Sequence, residues 1–282
     1  MRFVLTRDRD EFAKHARGFL EARIERNVLA TVLADVLESV HPPHQCWFAY
    51  GLDTNGRTDF AALRTPPWSM LASEIEPPDA RRLIECWLDH DPGLPGVSGP
   101  SASAHAIAGA WSQTTGRTSR CRMREALQVL EEVRGPSRPA SGKLRVAGAD
   151  ERELLASWMG EFGREAGVVG ADQAERMVDA RLGQRRLFVW DDGGPVSMLG
   201  VSSPVAGAVR IGPVYTPPDR RRRGYATSAV AAASRQALER SASRCLLYTD
   251  LANPTSNKIY AEVGYRCVAD WEDHAFEAAP PA

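Results

Sequence analysis

In Ile211-Gly-Pro-Val-Tyr-Thr-Pro-Pro-Asp-Arg-Arg-Arg-Arg-Gly-Tyr-Ala-Thr227 a strand meets a helix across four arginines. The apolar residues from Val209 to Tyr215 predict a strand, and Pro217-Pro218 stops it. From Gly224 to about Glu239 an Ala-rich helix is expected. The first turn of any helix carries unpaired backbone N–H groups and the positive end of the dipole, which together favour an anion, phosphate above all. Gly224 lets backbone approach that anion without a Cβ in the way, Ala226 is small for the same reason, and Thr227 adds a hydroxyl donor. No Gly-Lys-Ser/Thr follows, so this is not a Walker loop, and the dinucleotide pattern G-x-G-x-x-G is missing too. Within the strand, Gly212-Pro213 predicts a bulge or an opening, because proline cannot donate to a ladder.

Around this segment strands and helices alternate, which predicts α/β architecture. Leu144 begins a strand, Asp150 is an expected N-cap, and Leu154, Leu155, Trp158, Met159 and Phe162 fall at helical spacing. After a break at Gly167–Gly170 a helix runs from about Asp172 to Leu182. Leu187–Trp190 and Val196–Val201 form a hairpin across Asp191-Asp-Gly-Gly194. Cys245–Thr249 reads as a strand, Pro254–Val263 as a helix and Tyr265–Val268 as a last strand. In the first half, Phe12–Leu20, Val28–Val40, Ala80–Leu88 and Ser103–Trp111 read as helices. Trp47–Tyr50 and Phe60–Leu63 read as strands joined through Asn55-Gly56. Arg134-Gly-Pro-Ser-Arg-Pro-Ala-Ser-Gly-Lys143 reads as a linker, dividing the chain into domains at 1–137 and 142–282. Asp91–Pro100 reads as an internal loop, and no close sequence repeat links the halves.

Arg221-Arg-Arg-Gly-Tyr-Ala226 resembles the Q/R-x-x-G-x-G/A pyrophosphate loop of the GNAT superfamily of acyl-CoA N-acyltransferases. A second block, Asn253-Pro-Thr-Ser-Asn-Lys-Ile-Tyr-Ala-Glu-Val-Gly-Tyr265, resembles that family's N-x-x-A/S-x-x-x-Y-x-x-x-G-F/Y segment. The two blocks lie about 30 residues apart, and the resemblance covers about residues 143–277. The whole chain resembles two-part members whose first half is a degenerate GNAT-like α/β domain without the loop. The resemblance implies a GNAT fold in the second half, a mixed, partly splayed central sheet flanked by helices. It implies acetyl-CoA as co-substrate, with the pantetheine arm on the strand at Val214, Tyr215 and Thr216 and the pyrophosphate on Arg221, Arg222, Arg223, Gly224, Tyr225, Ala226 and Thr227. Asn253 would bond the pantetheine arm and Asn257 would touch CoA. Tyr260 would lie at the thioester sulfur, bind CoA there and protonate the departing thiolate, while the Val214 N–H meets the oxyanion. Many family members place a glutamate on the splayed strand, where this chain has Arg210 and no carboxylate. Glu161, Glu165, Asp250 or a water then remain open as the base. The expected acceptor is a small-molecule or peptide primary amine, in a pocket shaped by the first domain.

Other uses of these residues stay open at this level. Arg220–Arg223 would also serve as a solvated loop or a nucleic-acid contact, Tyr260 as a core tyrosine, and Asn253 as an N-cap before Pro254. Formal net charge is −1 and is spread evenly, with 17 basic and 18 acidic side chains in residues 1–141 and 18 of each in 142–282. Without a basic surface neither nucleic-acid binding nor a tRNA-dependent aminoacyl transferase is favoured. A non-catalytic CoA-binding sensor or scaffold is the alternative. The chain is 43% hydrophobic and 25% charged, an ordinary globular composition, and has no apolar run of about 20 residues for a membrane span. The first ten residues turn charged too early for a signal peptide, so a cytoplasmic monomer or homodimer is expected. Five cysteines without a CxxC pair predict buried reduced thiols and no structural zinc. His41-Pro-Pro-His44 has the look of a metal pair, but no further ligand is near in sequence, so no metal is expected. Trp47, Trp68, Trp87, Trp111 and Trp158 are expected in the core rather than in a ligand box, and His274 in the core or on the surface rather than lining the acceptor pocket.

Overall fold

A computed structural model describes residues 2–26, 28–38, 45–166 and 171–277. The break at Gly167–Gly170 and the His41/His44 pair lie outside the described residues, as does the end of the helix expected to reach Val40. The chain sorts into two compact units that are not consecutive halves. Unit 1 takes the chain up to Gln128, then Tyr248–Asn253 and the stretch from Cys267 on. Unit 2 takes Val129–Leu247 and Pro254–Arg266. The division at 137–142 expected from the sequence is therefore replaced by an interleaved one, because the chain's last strand packs into the first unit.

Unit 1 begins with β1 (Arg2–Thr6), then α1 (Arg9–Glu21) and α2 (Leu29–Leu37). Strands β2 (Trp47–Leu52), β3 (Thr58–Arg64) and β4 (Met70–Ala72) follow, then α3 (Pro77–Leu88), β5 (Gly96–Pro100) and α4 (Ser101–Thr115). β6 (Ser119–Leu130) leads towards the second unit, which holds its last two residues. Local chemistry sets these boundaries. The Asp8 carboxylate accepts from the N–H groups of Asp10 and Glu11 and caps α1. Phe12, Ala13, Ala16, Phe19 and Leu20 then fall on one face and are buried. Gly116 ends α4 in the left-handed conformation, φ 72°. Trp111 of α4 stacks on Phe276 with ring centroids 4.3 Å apart. The same core holds Phe60, Met70, Leu83, Ile84, Trp87 and Val97.

Unit 2 runs β7 (Lys143–Val146), α5 (Arg152–Ala166), α6 (Ala171–Gly183), β8 (Leu187–Asp191), β9 (Pro195–Val201), β10 (Ala208–Tyr215) and α7 (Tyr225–Arg240). β11 (Arg244–Asp250) belongs to it as far as Leu247, and α8 (Pro254–Val263) completes it. Alternation along the strands feeds two cores. Val189 and Met198 face Leu155, Trp158 and Met159 of α5, while their neighbours Trp190 and Leu199 face α7 and α8. The small side chains Ala229, Ala231 and Ala233 are buried on α7, so that helix sits close to the sheet.

Each unit repeats one topology. In unit 1, β1-β2-β3-β4 pair antiparallel and β4 then runs parallel to β5. In unit 2, β7-β8-β9-β10 pair antiparallel and β10 then runs parallel to β11. Two helices follow the first strand, one follows the fourth and one the fifth. This duplication does not show as a sequence repeat. β12 (Arg266–Phe276), the chain's last strand, pairs antiparallel with β5, with His274 opposite Val97.

Several expectations are corrected. Gly96–Pro100, read as loop, is the strand β5, flanked by β4 and β12. A Cβ on Gly96 would lie 2.2 Å from the His274 carbonyl oxygen, so glycine is needed for that pairing. β6 was not anticipated, and β12 runs to Phe276 instead of Val268; consecutive polar residues, Arg124-Glu125 in one and Glu272-Asp273-His274 in the other, break the alternation that marks a strand. Asp150 does not cap α5. It lies inside a 3-10 turn, Ala149–Glu151, that leads into α5 and starts at Gly148, whose N–H donates to the Glu151 carboxylate at 2.7 Å; that carboxylate also bridges to Arg145. The segment read as a linker is anchored in unit 2. The Arg134 N–H donates to the Val263 carbonyl, Ser137 donates to Glu262, and the Ala140 N–H donates to the Ser228 hydroxyl. Cys46 and Cys245 are buried as expected, but Cys86, Cys121 and Cys267 are exposed. Trp87, Trp111 and Trp158 are in the core, whereas Trp47 and Trp68 are only half-buried. No described helix is long and apolar enough to cross a membrane.

Candidate active site

β10 supplies the first wall. Its pairing with β9 shifts register between Ile211 and Val214, where the sequence places Gly212-Pro213. On its other edge the pairing with β11 runs Ala208–Arg210 against Arg244–Leu246, and the bulge lies directly beyond. A bulge bends a strand and interrupts its ladder, which leaves polar backbone for another partner. Past the bulge, the Tyr215 carbonyl accepts from the Ser197 hydroxyl at 2.9 Å, and the Ser197 and Thr216 hydroxyls share a hydrogen bond of 2.8 Å. The Tyr215 ring is buried, and its hydroxyl donates to Glu161 at 2.7 Å. Burial, then the Glu161 carboxylate, hold that phenol protonated well above the ordinary tyrosine range.

The loop from Thr216 to Gly224 is closed on itself by Arg221. Its Nε donates to the Thr216 carbonyl at 2.8 Å, and its guanidinium grips both oxygens of Glu165 at 2.7 and 2.8 Å. Arg221, expected among the pyrophosphate-loop residues, here ties the loop to α5. Arg223 donates to the Asp219 carbonyl at 3.4 Å, and Arg222 makes no hydrogen bond or ion pair among the described residues. Arg222 at φ 64° and Gly224 at φ 81° are both left-handed. Turns of this kind bring successive N–H groups to one side and make a concave anion seat.

Past Gly224, α7 starts with no cap. The first helical hydrogen bond is from the Ser228 N–H to the Gly224 carbonyl, no side chain caps the helix, and its first turn has no acid. The N–H groups of Tyr225, Ala226 and Thr227 therefore lack helical partners. The contrast with α1, where Asp8 fills this role, shows what the missing cap leaves available. Tyr225 buries its ring, and its hydroxyl donates to Asp192 at 2.7 Å. It belongs to the site by its backbone, not by its side chain. Thr227 is buried too.

Tyr260 lies on α8 in the same apolar cluster as Tyr225 and Val214, with its ring edge-on to Tyr265 at 5.9 Å. Among the described residues its hydroxyl has no hydrogen-bond partner, and burial pushes its pKa up to about 12. It is a neutral, protonated phenol at any physiological pH. Asn257, one turn before it, shares its side of α8. Asn253 directly precedes α8, and its N–H donates to the Asp250 carbonyl at 3.0 Å. Of the expected base candidates, Glu161 holds Tyr215, Glu165 holds Arg221, and Asp250 accepts from the Ala252 N–H. Glu125 on β6 escaped the sequence, since its strand was not anticipated. Burial first, then Asp273 and Asp250, push its carboxyl up to about 7.

In unit 1 the helix after the fourth strand is α3, the topological counterpart of α7. It opens Glu76-Pro-Pro-Asp79, with no side-chain cap. Prolines remove two donors there, and the acids repel an anion, so this copy cannot seat phosphate.

The acetyltransferase (GNAT) family model matches residues 152–265, which span β9, β10, the arginine loop, α7 and α8. These residues resemble a GNAT acetyltransferase domain. Solved structures match across almost the whole chain and share its fold. A Drosophila protein has TM-score 0.69 at 14% identity, covering 98% of each chain. A GCN5-related N-acetyltransferase from Sphaerobacter thermophilus has TM-score 0.60 at 14% identity, over 99% of this chain and 97% of its own. A tandem GNAT protein from the clavulanic acid biosynthesis pathway has TM-score 0.57 at 13% identity, over 100% and 99%. No curated protein matches the chain. The expected mixed GNAT α/β fold is thereby met.

Proposed function

We propose, from the GNAT acetyltransferase domain at residues 152–265, that this protein transfers the acetyl group of acetyl-CoA to a primary amine by direct attack in a ternary complex. The observation that carries this is the uncapped start of α7 behind two left-handed residues, next to the bulged strand β10. The N–H groups of Tyr225, Ala226 and Thr227, with Arg222 and Arg223 around them, hold the pyrophosphate. The bulged edge at Val214–Thr216 takes the pantetheine arm as an added strand, assisted by Asn253 and Asn257. Arg221 acts here by closing the loop, not by charge on the ligand.

The amine nitrogen attacks the thioester carbonyl, and the oxyanion that forms accepts from the Val214 N–H. The intermediate collapses with loss of thiolate, which takes the Tyr260 proton. With Glu161 and Glu165 engaged by Tyr215 and Arg221, the proton leaving the amine goes to water. The acceptor is a small-molecule or peptide amine; neither nucleic acid nor membrane is needed, and no metal takes part in transfer. A CoA-binding sensor without turnover is the second reading, favoured by the lack of a strand carboxylate beside Arg210.

Thiol release from acetyl-CoA over a panel of primary amines tests this. Amine-dependent release is expected, and Tyr260→Phe lowers turnover about 100-fold with little change in CoA affinity. CoA binding without release for any amine would replace the enzyme by the sensor. Failure to bind CoA would remove both.

A further inference from the structure

Unit 1 holds a second cluster of chemistry-bearing side chains, unrelated to the arginine loop. Ser101 and His105 are four residues apart on α4 and share one face of that helix. Glu272 and His274 are two residues apart on β12 and share one face of that strand. One candidate ligand atom from each of His105, Glu272 and His274 lies within 4.8 Å of the other two. His274 Nε2 is 2.8 Å from Glu272 Oε2, and its side chain is only 7% exposed. The His105 and His274 rings meet edge-on at 6.2 Å between centroids.

The carboxylate is held from behind. Ser101 of α4 stands beside Glu272, and Arg124 Nε stands 3.5 Å from Oε1, the oxygen turned away from His274. Outer contacts of this kind fix a ligating carboxylate in place. Two imidazoles and one oriented carboxylate are the donor set of a three-ligand zinc site, with water as the fourth ligand. Ligand atoms around tetrahedral zinc stand ~3.3 Å apart. His105 is exposed, so a side-chain adjustment there has room to close the 4.8 Å spread. Imidazole nitrogens disfavour Mg²⁺ and Ca²⁺, which take oxygen ligands.

We propose that His105, Glu272 and His274 form a binding site for a late first-row divalent cation, Zn²⁺ foremost. This stands apart from the acetyl-transfer reading. His41-Pro-Pro-His44, the pair that the sequence brings to notice, lies outside the described residues.

The test is calorimetric titration of Zn²⁺ into the full, tag-free, chelator-treated chain, with visible absorption of the Co²⁺ form as a second readout. One equivalent is expected to bind with micromolar or tighter affinity. His105→Ala removes an exposed side chain and leaves the core intact, and is expected to weaken binding at least ~100-fold, the upper end of what outer-shell changes alone cost. It should also abolish the Co²⁺ bands. Ser101→Ala is expected to weaken binding ~10-fold, and His41→Ala with His44→Ala to leave it unchanged. The proposal is overturned by the absence of saturable binding, by wild-type affinity in His105→Ala, or by loss that follows His41 and His44.

Discussion

Gly224→Glu, read beside Gly224→Ala, separates backbone strain from charge at the start of α7. Residue 224 sits at φ 81°, where any side chain meets the following carbonyl and costs about 1–2 kcal/mol. A Cβ there would stand 3.5 Å from the Arg138 carbonyl oxygen and 3.7 Å from the Ala140 Cβ, ordinary contact distances. Both variants therefore carry the strain and no added clash at that atom. At about 2–4 °C per kcal/mol for a chain of this size, both should melt ~2–8 °C below the wild type. Only glutamate adds a charge. A carboxylate held ~6 Å from a phosphate at an effective dielectric of ~20 costs about 3 kcal/mol, or about 100-fold in affinity. Titration calorimetry with acetyl-CoA should show Gly224→Ala within about 10-fold of the wild type and Gly224→Glu weaker by about 100-fold or more. Part of the glutamate deficit should return as salt is raised. A folded Gly224→Glu that binds acetyl-CoA like the wild type would refute the anion seat, however well the rest of the domain fits.

Glu125 gives a pH dependence opposite in sign to that of a salt-bridged carboxylate. Unfolded it titrates near 4.5, and in the fold near 7, so between those values the folded chain keeps a proton that the unfolded chain has lost. Stability from this residue falls as pH rises through that window, and the deficit is complete above pH 7. Glu125→Gln should accordingly gain about 1–3 kcal/mol in denaturant unfolding at pH 8 and nothing at pH 4; an equal effect at both pH values would rule out the shifted carboxyl. Trp111→Ala removes a buried ring stacked on Phe276 and should cost about 3–5 kcal/mol, again by denaturant unfolding. A cost below about 1 kcal/mol would mean that this core relaxes around the gap.

Much of unit 2 was written locally. The alternation in Leu187–Trp190, the turn at Asp191–Gly194 and the run of alanines after Gly224 each specify an element through near neighbours. The same holds for the uncapped start of α7, because a glycine, a missing cap and a first turn without acids all lie within one stretch. The bulge followed from Gly212-Pro213 alone, since a proline has no N–H to give.

Other features depended on pairings between residues far apart in the chain. The exchange that places β12 in unit 1 rests on Trp271–Ala275 pairing with Gly96–Pro100, which neither segment announces alone. β6 and β12 hold consecutive polar residues, Arg124-Glu125 and Glu272-Asp273-His274, and are strands because neighbouring strands satisfy their backbone. The bond from the Arg221 guanidinium to Glu165, 56 residues away, is made only by the fold. His105, Glu272 and His274 are likewise joined only by the packing of α4 on β12. Sequence alone determined what depends on backbone donors within one turn or one hairpin. Tertiary structure decided which side chains those elements bring into reach, because that depends on strand pairing across more than a hundred residues.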